Sequence, residues 1–217
     1  MGNIRDRLAI ERLMEDTIQV FRSVRTEAMD LGVTIALENH ADMQARELKM
    51  LIEEAGPELV GACLDTGNPV WVVEDAYLTL EMLAPYVVST HVRDSVVFAT
   101  PRGAAFRWVN LGEGCLDAHR FVAELTRLCP GVAVQLETIS WFERTEMPYL
   151  EPEFWKAFPK TPAWEFARFL NLVGQTSRSA RDVHVPHTPE QQRVDLERSL
   201  ENSRALRFDN AQIRPIN

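Results

Sequence analysis

Four short apolar runs, each followed at once by a polar residue, punctuate the first two thirds of the chain. Val33-Thr34-Ile35-Ala36-Leu37 leads into Glu38-Asn39-His40, Leu59 to Leu64 into Asp65, Tyr86 to Thr90 into His91, and Gly131 to Leu136 into Glu137. The first run, five residues all β-branched or apolar, is expected as a strand buried on both faces, and the other three repeat its format of a strand ended by a polar residue. The segments between them carry helical spacing instead. Residues 6 to 31 place Met14, Ile18, Phe21, Arg25 and Ala28 on one stripe, and Gly32 can close that helix in a left-handed conformation. Glu47 to Ala55 turns Leu48, Leu51 and Ile52 to one side and stops at Gly56-Pro57. Val70 to Val73 is expected as a short cover, Asp75 as the cap of a helix to about Leu83, and Asp117 as the cap of a helix over 118 to 128.

The stretch from Arg93 to Gly114, with Pro101, Gly103, Gly112 and Gly114, is expected as a long irregular loop. Beyond Glu137 the chain turns aromatic (Trp141, Phe142, Tyr149, Phe154, Trp155, Phe158), and Thr161-Pro162 opens a further helix ended by Gly174. Gln175 to Pro189 is polar and is expected as a linker or arm. Thr188-Pro189-Glu190-Gln191 has capping-box spacing before a charged helix reaching about Leu206. The division expected is therefore a domain over residues 1–175 and a polar extension over 176–217.

The strand-end polar residues fall at 38, 65, 91 and 137, in steps of 27, 26 and 46 residues. Strand and helix alternating at such a period give the βα units of a barrel or an open parallel sheet. In that geometry the ends of neighbouring strands share one mouth, and the polar residue just past a buried strand is where chemistry sits. Glu38, Asp65, His91 and Glu137 then converge. Three carboxylates in one place need a strong positive charge among them, and a divalent metal supplies it. Mostly oxygen donors with one imidazole suit manganese, magnesium or cobalt, with zinc an alternative.

Composition narrows the partners. The 217 residues carry a net charge of −9, which disfavours nucleic acid and anionic membranes. No run approaches the ~18 apolar residues of a membrane span, and the first residues hold no apolar signal segment. Cys63, Cys115 and Cys129 are odd in number and in no metal spacing, which suits free thiols in a cytoplasmic setting.

Leu37-Glu38-Asn39-His40, Leu64-Asp65-Thr66-Gly67-Asn68, His91-Val92-Arg93-Asp94, Gly112-Glu113-Gly114 and Leu136-Glu137-Thr138, in that order, resemble the second half of the xylose isomerase-like TIM barrels, the sugar phosphate isomerase/epimerase group that also includes inosose dehydratases and hydroxypyruvate isomerases. The resemblance covers about residues 10 to 175. It implies an incomplete barrel of about four parallel βα units matching strands five to eight, plus C-terminal helices. It implies Glu38, Asp65, His91 and Glu137 as ligands of one divalent metal, and Glu38 and Glu137 as the catalytic acid/base pair acting beside a carbonyl through an enediolate. His40, Asn68 and Arg93 are the substrate-binding candidates it suggests for a sugar, sugar phosphate or related polyol. Asn68 stands where several epimerases place a substrate-binding histidine. An N-terminally shortened barrel is the expectation, ahead of two copies completing one as a homo-oligomer, because the metal set is complete in one copy.

The other readings belong to different classes. A lyase on the same scaffold, such as an inosose-type dehydratase, begins with the same proton abstraction. An inactive half-barrel would survive as a binding or assembly module. The apurinic-site endonucleases of this fold use three zinc ions and more histidines than the five present here. Taken singly, Glu38, Asp65 and Glu137 are ordinary loop or capping carboxylates and His91 a hydrogen-bonded core histidine. Asp94 reads as a loop brace, Trp108 as core, and Trp141, Trp155 and Trp164 as seals of a sheet edge.

Overall fold

The computed structural model describes residues 7–139, 144–174 and 188–205. Trp141 and most of the 175–189 linker lie outside the described residues.

The first three apolar runs form a parallel sheet in the order β1 (Ile35–Glu38), β2 (Val60–Asp65), β3 (Val87–His91). The register pairs Ile35 with Val60, Glu38 with Cys63 and Asp65 with His91, which brings the polar ends to one edge. Every residue of β2 is buried, as an unalternating central strand requires. The connecting segments are the expected helices: α1 (Arg7–Asp30), α2 (Ala45–Ala55), α3 (Ala76–Leu83) and α4 (Ala118–Leu128). Asp75 accepts a hydrogen bond from the Leu78 N–H and Asp117 from the Arg120 N–H, each capping its helix. Ile18, Phe21, Leu48, Leu51, Ile52, Leu80, Leu83, Phe121 and Leu125 pack with Leu59, Val60, Leu64 and Val87 in one core. Crossovers of this kind are what parallel strands demand.

The fourth run is extended but joins the sheet through a single parallel bridge, Val92 to Leu136. The Val92 N–H donates to Gln135 O at 2.7 Å, and the Glu137 N–H donates to Val92 O at 3.1 Å. One step back, the Thr90 hydroxyl stands between the two backbones. It accepts from the Gln135 N–H and donates to Ala133 O, both at 2.9 Å. A side chain thus takes the backbone groups that a continuous ladder would have paired.

The expected long loop is instead a hairpin. β4 (Asp94–Thr100) and β5 (Gly103–Val109) pair antiparallel across Pro101-Arg102, and β6 (Thr145–Met147) pairs with β5. Its residues Asp94 to Phe98 and Gly103 to Phe106 are all buried, so the alternation that marks a half-exposed hairpin is missing. The hairpin's Val97, Ala104, Phe106 and Trp108 pack against Val70, Val72 and Phe158, and against Phe169 of α5 (Ala163–Val173). Val70 and Val72 lie on the short 3₁₀ turn Pro69–Val72, which is the cover expected there.

The last helix, α6 (Pro189–Ala205), begins where Thr188 Oγ1 accepts from the Gln191 N–H at 3.1 Å. It docks on the Leu111–Gly112–Glu113 loop through polar contacts. Leu111 N–H donates to Ser199 Oγ, Asn202 Nδ2 donates to Leu111 O, and Arg198 pairs with Glu113. Among the described residues no helix is long and apolar enough to cross a membrane.

Candidate metal centre

The sheet register decides the site. Glu38, Asp65 and His91 are the last residues of β1, β2 and β3, and Glu137 follows the bridged Leu136. Each offers one ligand-type atom, and these four atoms lie within 4.8 Å of one another. Asn39 fixes the first two strand ends. Its Oδ1 accepts from the Asp65 N–H at 2.7 Å and its Nδ2 donates to Asp65 O at 2.9 Å, a buried side chain acting as one more rung. The sequence displayed Asn39 in its motif without disclosing this task.

The Asp65 carboxylate is fully buried, and its two oxygens differ. Oδ1 accepts from the Gly67 N–H at 2.6 Å, the Asn68 N–H at 2.8 Å and Arg93 Nε at 3.1 Å. Oδ2 makes no hydrogen bond, although Arg93 Nη2 stands 2.7 Å away. Glu137 Oε2 is likewise buried without a hydrogen bond, 3.3 Å from Arg93 Nη1 and 3.9 Å from His91 Nδ1. Glu38 Oε1 lies 3.3 Å from His91 Nδ1 and accepts from Asn68 Nδ2 at 3.1 Å. Burial pushes the Asp65 carboxyl up, against the neighbouring Arg93 charge. Burial and the nearby Asp65 carboxyl push Glu137 up as well.

These residues fit a divalent cation. The donor set is three carboxylates and one imidazole, and two of the carboxylate oxygens are buried with no hydrogen bond to satisfy them. Their one positive neighbour among the described residues is the Arg93 guanidinium, whose single charge leaves three carboxylates under-compensated, and a divalent cation would complete the balance.

The expected substrate-binding residues are placed differently from one another. Asn68 is 1% exposed, with Nδ2 on Glu38 and Oδ1 accepting from Arg93 Nη2 at 2.9 Å. Arg93 is 3% exposed and is enclosed by Asp65, Asn68, Glu137 and the Trp108 ring, whose centroid lies 3.9 Å from Cζ. Both face the ligand cluster. His40 is exposed on the connection after β1, its ring 5.7 Å from Trp71. Trp71 in turn packs edge-on against Trp108 and Phe106. Reading 70–73 as a mere cover overlooked this half-buried indole.

Asp94 braces the next loop, as the sequence suggested. Its Oδ1 accepts from Ser95 N at 2.8 Å and Leu116 N at 3.0 Å, and its Oδ2 from Gly112 N at 3.1 Å and Gly114 N at 2.9 Å. A side chain at Gly114 would collide with that carboxylate. Burial still pushes Asp94 up to about 6.

Comparison with known proteins bears on this geometry. A family profile described as xylose isomerase-like TIM barrel matches residues 5–155. An uncharacterized protein of Escherichia coli, YihM, is 29% identical over 154 residues, covering 70% of this chain and 44% of its own. A 3-oxo-isoapionate decarboxylase of Pectobacterium atrosepticum is 27% identical over 110 residues, 48% of this chain and 38% of that protein. A xylose isomerase domain protein from Planctomyces limnophilus superposes with a TM-score of 0.57 at 19% identity, over 90% of this chain and 54% of that one. The chain spans less than half the length of either relative matched by sequence.

Proposed function

Since the chain belongs to the xylose isomerase-like TIM barrel family, we propose that its strand-end cluster is the divalent-metal site of an isomerase or epimerase acting on a sugar, sugar phosphate or related polyol. One observation carries this reading: four residues each bring a ligand-type atom to within 4.8 Å of the others, and two of them, Asp65 and Glu137, also carry a buried carboxylate oxygen that no hydrogen bond satisfies. Glu38, Asp65, His91 and Glu137 would hold the ion, with manganese, magnesium or cobalt best suited to the donor set. When bound, such an ion offsets the negative charge that develops on a carbonyl oxygen as the adjacent carbon loses a proton.

The protein's own groups do the rest. Glu38 ends β1 and Glu137 follows the bridged Leu136 on the far side of the parallel set, and each is about one third exposed, so each can take or return a proton. One accepts the proton from carbon and the other delivers it to the opposite face or to the neighbouring atom. Asp65, buried and held by two backbone N–H groups, stays in place as a ligand. Asn68 and Arg93 brace Glu38 and Asp65 from behind. The exposed His40 and half-buried Trp71 offer a polar edge and an apolar face to a polyol.

A second reading is favoured by the likeness to the decarboxylase. Loss of carbon dioxide from a 3-oxo acid leaves the same enolate electron pair as loss of a proton, so the same cluster serves, and a carboxylic acid then protonates carbon. A dehydratase of a keto-inositol differs only in the group expelled after the first proton leaves.

The test has two stages. Elemental analysis of the purified chain, on a light-scattering peak, is expected to give about one divalent ion per chain, lost in His91→Ala. A ketose, inosose and 3-oxo acid screen in deuterated water then parts the readings: solvent deuterium on carbon with no mass loss means isomerase or epimerase, loss of water dehydratase, loss of carbon dioxide decarboxylase. A wild-type chain that binds no divalent ion overturns all three.

A further inference from the structure

Arg93 is the one cation that touches the candidate ligand set among the described residues. Its position is built rather than incidental. The backbone is clamped by the Thr66 hydroxyl, which accepts from Arg93 N–H at 2.9 Å and donates to Arg93 O at 2.5 Å. The stem runs past Gly67, where an added Cβ would come within 2.7 to 2.9 Å of Cγ, Nε and Cδ. The guanidinium lies on Trp108, whose indole N–H donates to Gly67 O at 3.1 Å and so holds the slot closed. Asn68 Oδ1 accepts a hydrogen bond from Arg93 Nη2. A side chain this enclosed does not swing into the mouth to meet a substrate.

Besides the Nε hydrogen bond to Asp65 Oδ1, its two Nη contacts with carboxylates fall on the two oxygens that lack hydrogen bonds. Nη2 stands 2.7 Å from Asp65 Oδ2, and Nη1 stands 3.3 Å from Glu137 Oε2. Those are the atoms an incoming cation would use. We propose that Arg93 is a resident counter-cation of the metal site: it neutralises Asp65 and Glu137 when no ion is present, keeps the ligand carboxylates from repelling one another apart, and yields those two oxygens when a divalent ion binds. This rests on the reading of the cluster as a metal site.

The charge arithmetic follows. Glu38, Asp65 and Glu137 ionised with Arg93 give −2, which a divalent ion brings to zero. The site is held in shape before the ion arrives, and the ion meets a positive neighbour when it does. Arg93 is thus a positioning residue that trades metal affinity for a preformed site. Removing its charge while keeping its stem should make the ion-free protein less stable and the ion more tightly held, because the repulsion between guanidinium and dication disappears. A merely structural arginine predicts the opposite sign: lost support for Asp65, and weaker binding.

The experiment compares the full chain with Arg93→Met and Arg93→Lys, measuring Mn²⁺ affinity by titration calorimetry and the thermal midpoint with chelator and with saturating Mn²⁺. Expected for Arg93→Met is Mn²⁺ binding tighter by about tenfold or more, with a larger fall in midpoint under chelator than under Mn²⁺. Arg93→Lys, which keeps the charge, should stay within about threefold of wild type in affinity. Weaker binding in Arg93→Met, or equal falls in both conditions, overturns the proposal while leaving the metal site standing. No Mn²⁺ binding by wild type and both variants overturns the site reading and this proposal together. If Arg93→Met folds only with Mn²⁺, the proposal holds in its strongest form; if it stays unfolded with Mn²⁺ while Arg93→Lys folds, the proposal fails.

Discussion

Two buried aspartates close to the same mouth are treated in opposite ways. Asp94 has both oxygens filled by four backbone N–H groups and touches none of the ligand-type residues. Asp65 has one oxygen filled by two N–H groups and Arg93 Nε, and its second left without a hydrogen bond. Both pay for burial, and their carboxyls are pushed up by it. The difference lies in what the remaining lone pairs face. A carboxylate whose acceptor capacity is spent on its own loop is architecture. One whose capacity is half unspent, among other carboxylates and an imidazole, is available for chemistry.

That contrast can be broken by exchanging the consequences of mutation. The largest effect expected is in Asp65→Asn: Mn²⁺ affinity should fall on the order of a thousandfold by calorimetry, with urea stability within about 1 kcal/mol of wild type. Asp94→Ala should do the reverse. Orphaning four N–H donors should cost about 3 kcal/mol in urea denaturation, while the folded fraction binds Mn²⁺ within about threefold of wild type. If Asp65→Asn unfolds the chain as readily as Asp94→Ala, the distinction between the two aspartates is gone.

Smaller effects sharpen the same comparison. Thr90→Val removes the hydroxyl between β3 and the 133–135 backbone, and about 1 to 2 kcal/mol of stability should go with it. Because Glu137 ends that segment, Mn²⁺ binding should weaken by up to about tenfold, while the Asp94 loop is untouched. The smallest effect concerns pH. Burial pushes the Asp94 carboxyl up to about 6 in the fold, from an ordinary value of 3.8. The folded chain therefore holds a proton there that the unfolded chain releases. Its stabilising contribution is complete below pH 3.8 and is lost as pH rises through 6. Wild type should lose stability relative to Asp94→Asn across that window, with a slope of at most about 1.4 kcal/mol per pH unit. A slope of the opposite sign in urea titrations would mean that the four N–H donors outweigh burial.

The strand ends were legible because their signal is local. An apolar run followed by Glu38, Asp65, His91 or Glu137 needs no knowledge of distant contacts, although only the β2 run proves buried throughout, and the pairing of Asp65 with His91 follows once the strands are parallel. The hairpin of residues 94–109 was not legible, since burial on both faces erased its alternation and Pro101-Arg102 lacks the Asn-Gly or Asp-Gly signature of a tight turn. The fourth run had strand propensity, yet Thr90, forty-odd residues earlier in the chain, took its partners. Arg93 and Asn68 were visible as polar residues near the mouth. Which way they face depended on Trp108, Gly67 and Glu38, contacts no sequence window contains.

The Thr90 interposition has a mechanical consequence. Glu38, Asp65 and His91 are corners of a stiff frame, each tied into the parallel ladder. Glu137 hangs from one rung, the Val92 bridge, with a hydroxyl where the next rung would be. A frame with three rigid corners and one compliant corner deforms along a single direction, toward and away from Glu137. For the proposed metal site this predicts that ions of different radius would be accommodated chiefly by displacement of the Glu137 arm.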